Sequence, residues 1–346
     1  MKFVETIEIK NFKSIRHQTI VGCKRVNVFI GYPNVGKSNI LEALGLFSFL
    51  KLGEENFNLY DICRFKSARE LFFNQDGKHN IEILVNGSIN IELFLGRNAE
   101  IDFRINKFLD DQGSPGNESV NKFTIIRDGI TGSYQTAIEN KYNYLIGDIK
   151  KYDFKKDVTV NAQKSLSLSV PFGDNLLDIL QSSSSLRKDI VDIFSQYKLK
   201  LIVDRTDEAI KFQKELEDGS VVSIPYHQVA DTLRRLIFYK AAIQTNSNSI
   251  LLFEEPEAHM FPPYISRLSS DIIFDEHKNQ YFITTHSPFV LNDFMEELKE
   301  DELSIYTVGL KSGESVIKKM TNEEVTDVYQ YGIDLFFNLE NFLKND

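Results

Sequence analysis

The sequence predicts an α/β fold whose mixed, largely parallel core sheet is flanked by helices. Three observations point there. Between residues 25 and 50 an apolar strand runs into a glycine turn and then a helical pattern. Two further strands, at 249–253 and 280–285, are apolar almost throughout, as strands covered on both faces are. Each of these strands ends in glycine, acidic or polar residues rather than fading into a loop.

Residues 3–9 alternate apolar and polar, the period of a half-buried strand, and Asn11 to Ser14 reads as a turn. Residues 25–30 form a second, β-branched strand that meets Gly31-Tyr32-Pro33-Asn34, a strong turn signal. From Lys37 to Leu50, Ile40, Leu41, Leu44, Phe47 and Leu50 recur at helical spacing. Residues 80–105 read as two or three antiparallel strands, with Asn86-Gly87 as a hairpin turn. Residues 110–120 read as a loop, and 121–185 give no pairing; Ser182 to Ser185 is a loop or a helix cap. Helical periodicity returns at 187–197 and 229–243, and the last sixty residues carry an amphipathic helix, a short hairpin and a final helix. The layout divides the chain into a core of 1–54 and 225–346, an antiparallel β subdomain at 55–110 and an α/β insertion at 111–224.

Composition narrows the function. The chain has 346 residues, ordinary globular hydrophobicity and a net charge of −10, which weighs against binding to a phosphate backbone. It has no apolar run long enough for a membrane helix, and acidic residues interrupt the N-terminus, so neither a membrane role nor a signal peptide is expected. Cys23 and Cys63 form no ligand cluster or disulfide framework, and a reducing cytoplasm is the simplest compartment. The basic run Lys150, Lys151, Lys155 and Lys156 reads as solvated surface.

Residues 31–38 read G-Y-P-N-V-G-K-S, a match to G-x-x-x-x-G-K-[ST] between a strand and a helix. Gly31, Asn34, Gly36 and Asn39 belong to a loop whose backbone N–H groups would cradle phosphate. Lys37 would reach the β- and γ-phosphates and Ser38 would ligate Mg²⁺. At 251–262 the chain reads L-L-F-E-E-P-E-A-H-M-F-P. Glu254 there suits a metal site, and Glu255 a base that takes a proton from the attacking water or orients it. Taken alone, that segment would also fit a strand ending in a solvated acidic turn; the phosphate loop favours the metal-nucleotide reading. At 281–288, Y-F-I-T-T-H-S-P delivers Thr285 and His286 to the same kind of strand end. A lone histidine more often serves the fold, but three strands with phosphate-competent ends favour contact with a γ-phosphate.

These motifs together resemble the ABC-type ATPases of the AAA15, or OLD/RecF-like, group. I-E-I-K-N-F-K-S-I at 7–15 and N-V-F-I-G-Y-P-N-V-G-K-S-N-I-L-E-A-L at 27–44 are similar to its opening. E-E-P-E-A-H-M-F-P looks like its Walker B and D-loop region, and T-T-H-S-P like its switch-histidine segment. The likeness covers residues 1–50 and 225–295, while 55–220 match only in general layout.

The resemblance implies an ABC-type P-loop NTPase head that binds ATP and Mg²⁺ and works as a homodimer, each ATP lying between one phosphate loop and the partner's signature helix. The matching segment is V-A-D-T-L-R-R-L at 229–236, with Asp231 and Thr232 in place of the usual Ser and Gly. Thr232 would cap its helix and offer N–H and hydroxyl groups, with Arg234 or Arg235 supplying charge; an ordinary capped amphipathic helix is the alternative. Gln75, or Arg64 in its place, is the candidate for the Q-loop residue. Glu254 stands where Asp is usual, which implies slow turnover, and His259 either faces the dimer partner or serves the fold. About fifty residues follow T-T-H-S-P, too few for a Toprim nuclease domain, and long heptad arms are lacking. The resemblance therefore implies an ATPase switch for a separate effector protein, of the kind found in bacterial anti-phage or toxin–antitoxin-like modules. A nucleic-acid-associated repair or defence ATPase and a non-hydrolysing nucleotide-binding scaffold are the alternatives.

Overall fold

The computed structural model describes residues 3–51, 59–96, 101–109, 115–125, 131–134, 148–156, 165–204 and 206–343. In chain order the elements are β1 (Thr6–Phe12), β2 (Ile15–Val21), β3 (Val26–Gly31), α1 (Lys37–Lys51), β4 (Ile81–Val85), β5 (Ile89–Leu95), β6 (Ile101–Leu109), β7 (Pro115–Ile125), β8 (Thr131–Tyr134) and β9 (Asp148–Tyr152). There follow α2 (Leu176–Ser182), α3 (Ser184–Ser195), β10 (Leu199–Asp204), β11 (Ala209–Glu215), β12 (Val221–Pro225), α4 (Asp231–Gln244), β13 (Ser249–Glu254) and α5 (Pro262–Ile273). The chain closes with β14 (Gln280–Thr284), α6 (Pro288–Glu297), β15 (Leu303–Lys311), β16 (Glu314–Lys319), α7 (Asn322–Gln330) and α8 (Leu339–Leu343).

The chain forms two units, one of 1–151, 248–255 and 280–346, the other of 152–247 and 256–279. The first holds two sheets. One is antiparallel, in the order β2-β1-β4-β5-β6-β7-β8. The other runs β16-β15-β3-β14-β13-β9, with β15, β3, β14 and β13 parallel. Helix α1 packs against β3, β13 and β14 of this core sheet and against β1 of the antiparallel one. That placement explains its sequence: every residue from Ile40 to Ser48 is buried, so the helix is apolar nearly all round rather than along one stripe. In the core sheet Phe29 stacks on Tyr306 at 4.9 Å and on Phe282 at 6.3 Å, all three buried.

Two expectations are corrected in this unit. Of the loop read at 110–120, residues 110–114 lie outside the described residues, but from Pro115 onward the chain is β7, paired with β6. Backbone pairing, indifferent to side-chain polarity, carries a strand there that composition does not announce. Lys151 is no part of a solvated run: it lies on β9 beside the buried Ile149 and is itself 3% exposed. A short basic run cannot reveal the two-residue alternation that turns one lysine inward.

In the second unit β10, β11 and β12 form an antiparallel sheet, and α3 packs on β10, with Phe194 stacked on Phe212 at 4.1 Å. Ser183 caps α3 by accepting from the Leu186 N–H at 3.2 Å. Buried Lys240 of α4 reaches Asp189 of α3 at 3.3 Å and Asp271 of α5 at 2.6 Å, tying the three helices together.

Candidate functional site

Strand β3 ends at Gly31, and a short loop leads to Lys37 at the start of α1. Asn34 and Gly36 turn it through left-handed backbone, with φ of 62° and 101°. Gly36 has no room for a side chain: a Cβ there would lie 2.2 Å from Ser315 Oγ and 2.6 Å from Ser14 Oγ. Those hydroxyls wall the loop. Ser315 donates to the Val35 carbonyl at 2.7 Å, which uses its one proton. Ser14 therefore donates to Ser315 at 2.6 Å and accepts from the Asn39 amide at 2.7 Å. Asn39 thus holds the loop's wall. The buried Lys37 ammonium donates to the carbonyls of Gly31 at 3.0 Å and Tyr32 at 2.9 Å. Burial holds its pKa below the ordinary lysine value, outweighing the pull of Glu255 and Glu254.

Parallel pairing sets β14 between β3 and β13, with Thr284 opposite both Phe29 and Glu254. The carboxyl ends of the three strands therefore share one edge, where α1 begins. There Ser38 Oγ donates to Glu254 Oε1 at 2.5 Å. Arg64 Nη2 donates to the same oxygen at 2.6 Å, and Lys151 Nζ stands 3.9 Å from Oε2. Burial alone would raise the Glu254 pKa, but Lys151, Arg64 and the Ser38 hydroxyl outweigh it and hold the carboxyl below its usual value. Arg64 also donates through Nε to Glu42 Oε1 at 3.0 Å, while Lys13 pairs with the other oxygen of Glu42. Glu42 lies one helical turn after Ser38, on the same face of α1, and is fully buried.

Glu255 turns away from the strand. Its backbone is left-handed, with φ of 43°, and its N–H donates to the Thr284 carbonyl at 3.0 Å. Its side chain meets His286, with Oε1 and Nε2 3.2 Å apart. Buried Thr285 shapes the turn that presents the histidine, its hydroxyl accepting from the Ser287 N–H at 3.0 Å. Burial, then Lys37, lower the His286 pKa, with Glu255 pulling the other way, so the imidazole is neutral at pH 7.

The structure thus brings together Gly31, Gly36, Lys37, Ser38, Glu254, Glu255 and His286. Gln75 is exposed at the end of a short 3₁₀ turn, whereas Arg64 sits on Glu254. Asp231, Thr232 and Arg234 lie on α4 in the second unit. Thr232 does not cap its helix: the cap position is Ala230, and the Thr232 hydroxyl donates instead to the His259 carbonyl at 2.9 Å. With helical backbone of its own, Thr232 sits past the point where a cap can act. Arg234 is buried and pairs with Asp231 at 3.3 Å; Arg235 and Lys156 approach the same carboxylate at 3.6 Å. His259 is exposed, with φ of 61°.

Sequence reasoning missed Ser14, Glu42, Lys151 and Ser315. A signal was present for one of them: Glu42 is four residues past Ser38, on the same face of the helix.

A triphosphate with Mg²⁺ fits these residues. The cradle at Gly36 tolerates no Cβ, Lys37 supplies a buried cation, and Ser38 with Glu254 offers adjacent hard oxygen donors. Among the described residues no group of three or more His, Cys, Asp or Glu is arranged to hold a metal ion, so a cation here would draw on phosphate and water oxygens as well.

The family model described as "AAA domain, putative AbiEii toxin, Type IV TA system" matches residues 26–292. The chain is 32% identical over 123 residues to the uncharacterized protein MJECL10 of Methanocaldococcus jannaschii, covering 28% of this chain and 56% of that one. It is 29% identical over 99 residues to the DNA replication and repair protein RecF of a Thermoanaerobacter species, covering 25% of this chain and 27% of RecF. The chain thus spans about half the length or less of these curated relatives. Among solved structures, the Smc head domain of Pyrococcus furiosus, bound to the C-terminal domain of ScpA, superposes with a TM-score of 0.55 at 12% identity, covering 96% of this chain and 99% of that one. The fold is that of an ABC-type ATPase head.

Proposed function

The chain belongs to this AAA-domain family of ABC-type ATPases, and from that premise we propose that it binds ATP with Mg²⁺ and hydrolyses it slowly, as a nucleotide-dependent dimeric switch. One observation carries the reading: Lys37, Glu254, Glu255 and His286 gather at the carboxyl ends of adjacent parallel strands, where open α/β sheets bind ligands. Bound Mg²⁺ would supply charge neutralisation at the β- and γ-phosphates. Ser38 and Glu254 would hold it. The loop N–H groups and Lys37 bind and orient the phosphates. Glu255 accepts a proton from the attacking water, and neutral His286 donates its ring N–H toward the γ-phosphate. The link between Thr232 and the His259 carbonyl supports a signature helix and D-loop that act together toward a second copy.

In this reading dimerisation gates a separate effector in an anti-phage or toxin-like module; the family's description names a putative toxin and a type IV TA system. Glu255→Gln tests it: ATP should drive the variant into a persistent dimer, read by light scattering. A dimer population that ignores nucleotide would sink the switch.

The likeness to RecF favours a second reading, a DNA-associated ATPase. Duplex DNA would then stimulate turnover, and binding would weaken steeply with salt. No helix among the described residues is long and apolar enough to cross a membrane.

A further inference from the structure

We propose that Lys151 and Arg64 are positioning residues that compete with a divalent cation for Glu254, so that metal is taken up together with nucleotide rather than before it. The proposal rests on the reading that Glu254 holds the cation.

The geometry is specific. Glu254 Oε1 accepts from Ser38 and from Arg64, and Lys151 Nζ lies 3.9 Å from Oε2. Neither cation is a loose surface charge. Lys151 is 3% exposed, and its ammonium is aimed by a hydrogen bond to the Ile62 carbonyl at 2.7 Å. The Arg64 side chain is 65% exposed, but its guanidinium is held by two carboxylates, Glu254 and the fully buried Glu42. Gly45 keeps the space around Lys151 narrow: a Cβ there would stand 3.2 Å from Lys151 Cδ.

Two fixed cations beside one carboxylate set a threshold for a third. A divalent ion near Glu254 meets like-charge repulsion from Lys151 and Arg64, weakly screened from the buried Lys151 and more strongly from the exposed Arg64. The charge of a triphosphate offsets it, because Lys37 and the loop hold four or so phosphate charges within reach of the same ion. The longer reach of Glu254, where Asp would stop short, suits a carboxylate shared among a hydroxyl, a guanidinium and an ammonium.

The test is a titration of Mn²⁺ alone into full-length protein prepared without nucleotide, with free Mn²⁺ read by electron paramagnetic resonance. The wild type should bind weakly. Arg64→Gln and Lys151→Met should each tighten Mn²⁺ binding about tenfold or more, since each removes one nearby positive charge. Adding Glu254→Gln should abolish the gain. If both single variants bind Mn²⁺ as the wild type does, while Glu254→Gln weakens Mn²⁺ binding in the presence of ATP, the competition is wrong and the metal assignment stands. If Glu254→Gln leaves Mn²⁺ binding with ATP unchanged, the assignment itself falls, and the proposal with it. A thermal melt checks Lys151→Met for folding; should it fail, the exposed Arg64 decides by itself.

Discussion

Ser38 donates its hydroxyl to Glu254 across 2.5 Å, although 216 positions separate them in the chain. The contact joins the first turn of α1 to the last residue of β13, and so joins the phosphate loop to the acidic strand end. Arg64 donates to the same oxygen, and Lys151 stands beside the other.

In the proposed function Glu255 is the group that acts on water. Replacing it with Gln should lower ATP turnover by about 10² to 10⁴, the usual value of a positioned base, with nucleotide affinity retained. Phosphate release at saturating ATP measures the first, and titration with a fluorescent ATP analogue the second. Equal loss of both would mean that Glu255 serves binding rather than chemistry.

His286 should titrate below its ordinary value, because burial and Lys37 disfavour its charged form. Glu255 pulls the other way, so Glu255→Gln should lower the midpoint further, and Lys37→Met should raise it. The sign for stability follows: a histidine whose folded pKa is depressed contributes stability above its unfolded value near 6.5, lost as pH falls below it. Imidazole proton shifts in an NMR pH titration read each midpoint. A midpoint in Glu255→Gln above that of the wild type would contradict the assignment.

Gly36 stands on left-handed backbone, with Ser315 and Ser14 where a side chain would go. Gly36→Ala should therefore shift the loop and weaken ATP binding by about tenfold or more, roughly 1.4 kcal/mol, while leaving the fold intact. Calorimetric titration alongside a circular-dichroism melt separates the two; unchanged affinity would mean the loop is not the cradle.

Phe29 sits at the centre of the core sheet, stacked on Tyr306 and Phe282. Phe29→Ala should destabilise the protein by about 3–5 kcal/mol. Denaturant unfolding reads it, and a loss below about 1 kcal/mol would place the residue outside a packed core.

The strand ends were legible because chemistry and local structure coincide within a few residues: a run such as Leu251-Leu252-Phe253 fixes the strand, and Glu254 and Glu255 follow at once. The hairpin at Asn86-Gly87 was legible for the same reason, since the turn needs positive φ at both residues, here 52° and 62°. Other elements escaped. Strand β2 reads I-R-H-Q-T-I-V, with its middle turned largely to solvent, and is set by its antiparallel pairing with β1. Strands β10 to β12 and helix α5 also escaped, although Ile210 and Phe212 alternate in β11 and Ile265, Leu268 and Ile272 keep helical spacing in α5; the inward turn of Lys151 escaped because its basic neighbours mask it. The Arg64–Glu42–Glu254 bridge depends on three segments meeting in space, which no spacing in the chain announces.

The proposed function sets Lys37, Glu254, Glu255 and His286 around one triphosphate. Isothermal titration of ATP with Mg²⁺ into wild type and Lys37→Ala tests it most directly. Affinity should fall about a hundredfold or more in the variant, with an unchanged melting temperature; binding as tight as the wild type's would contradict the claim.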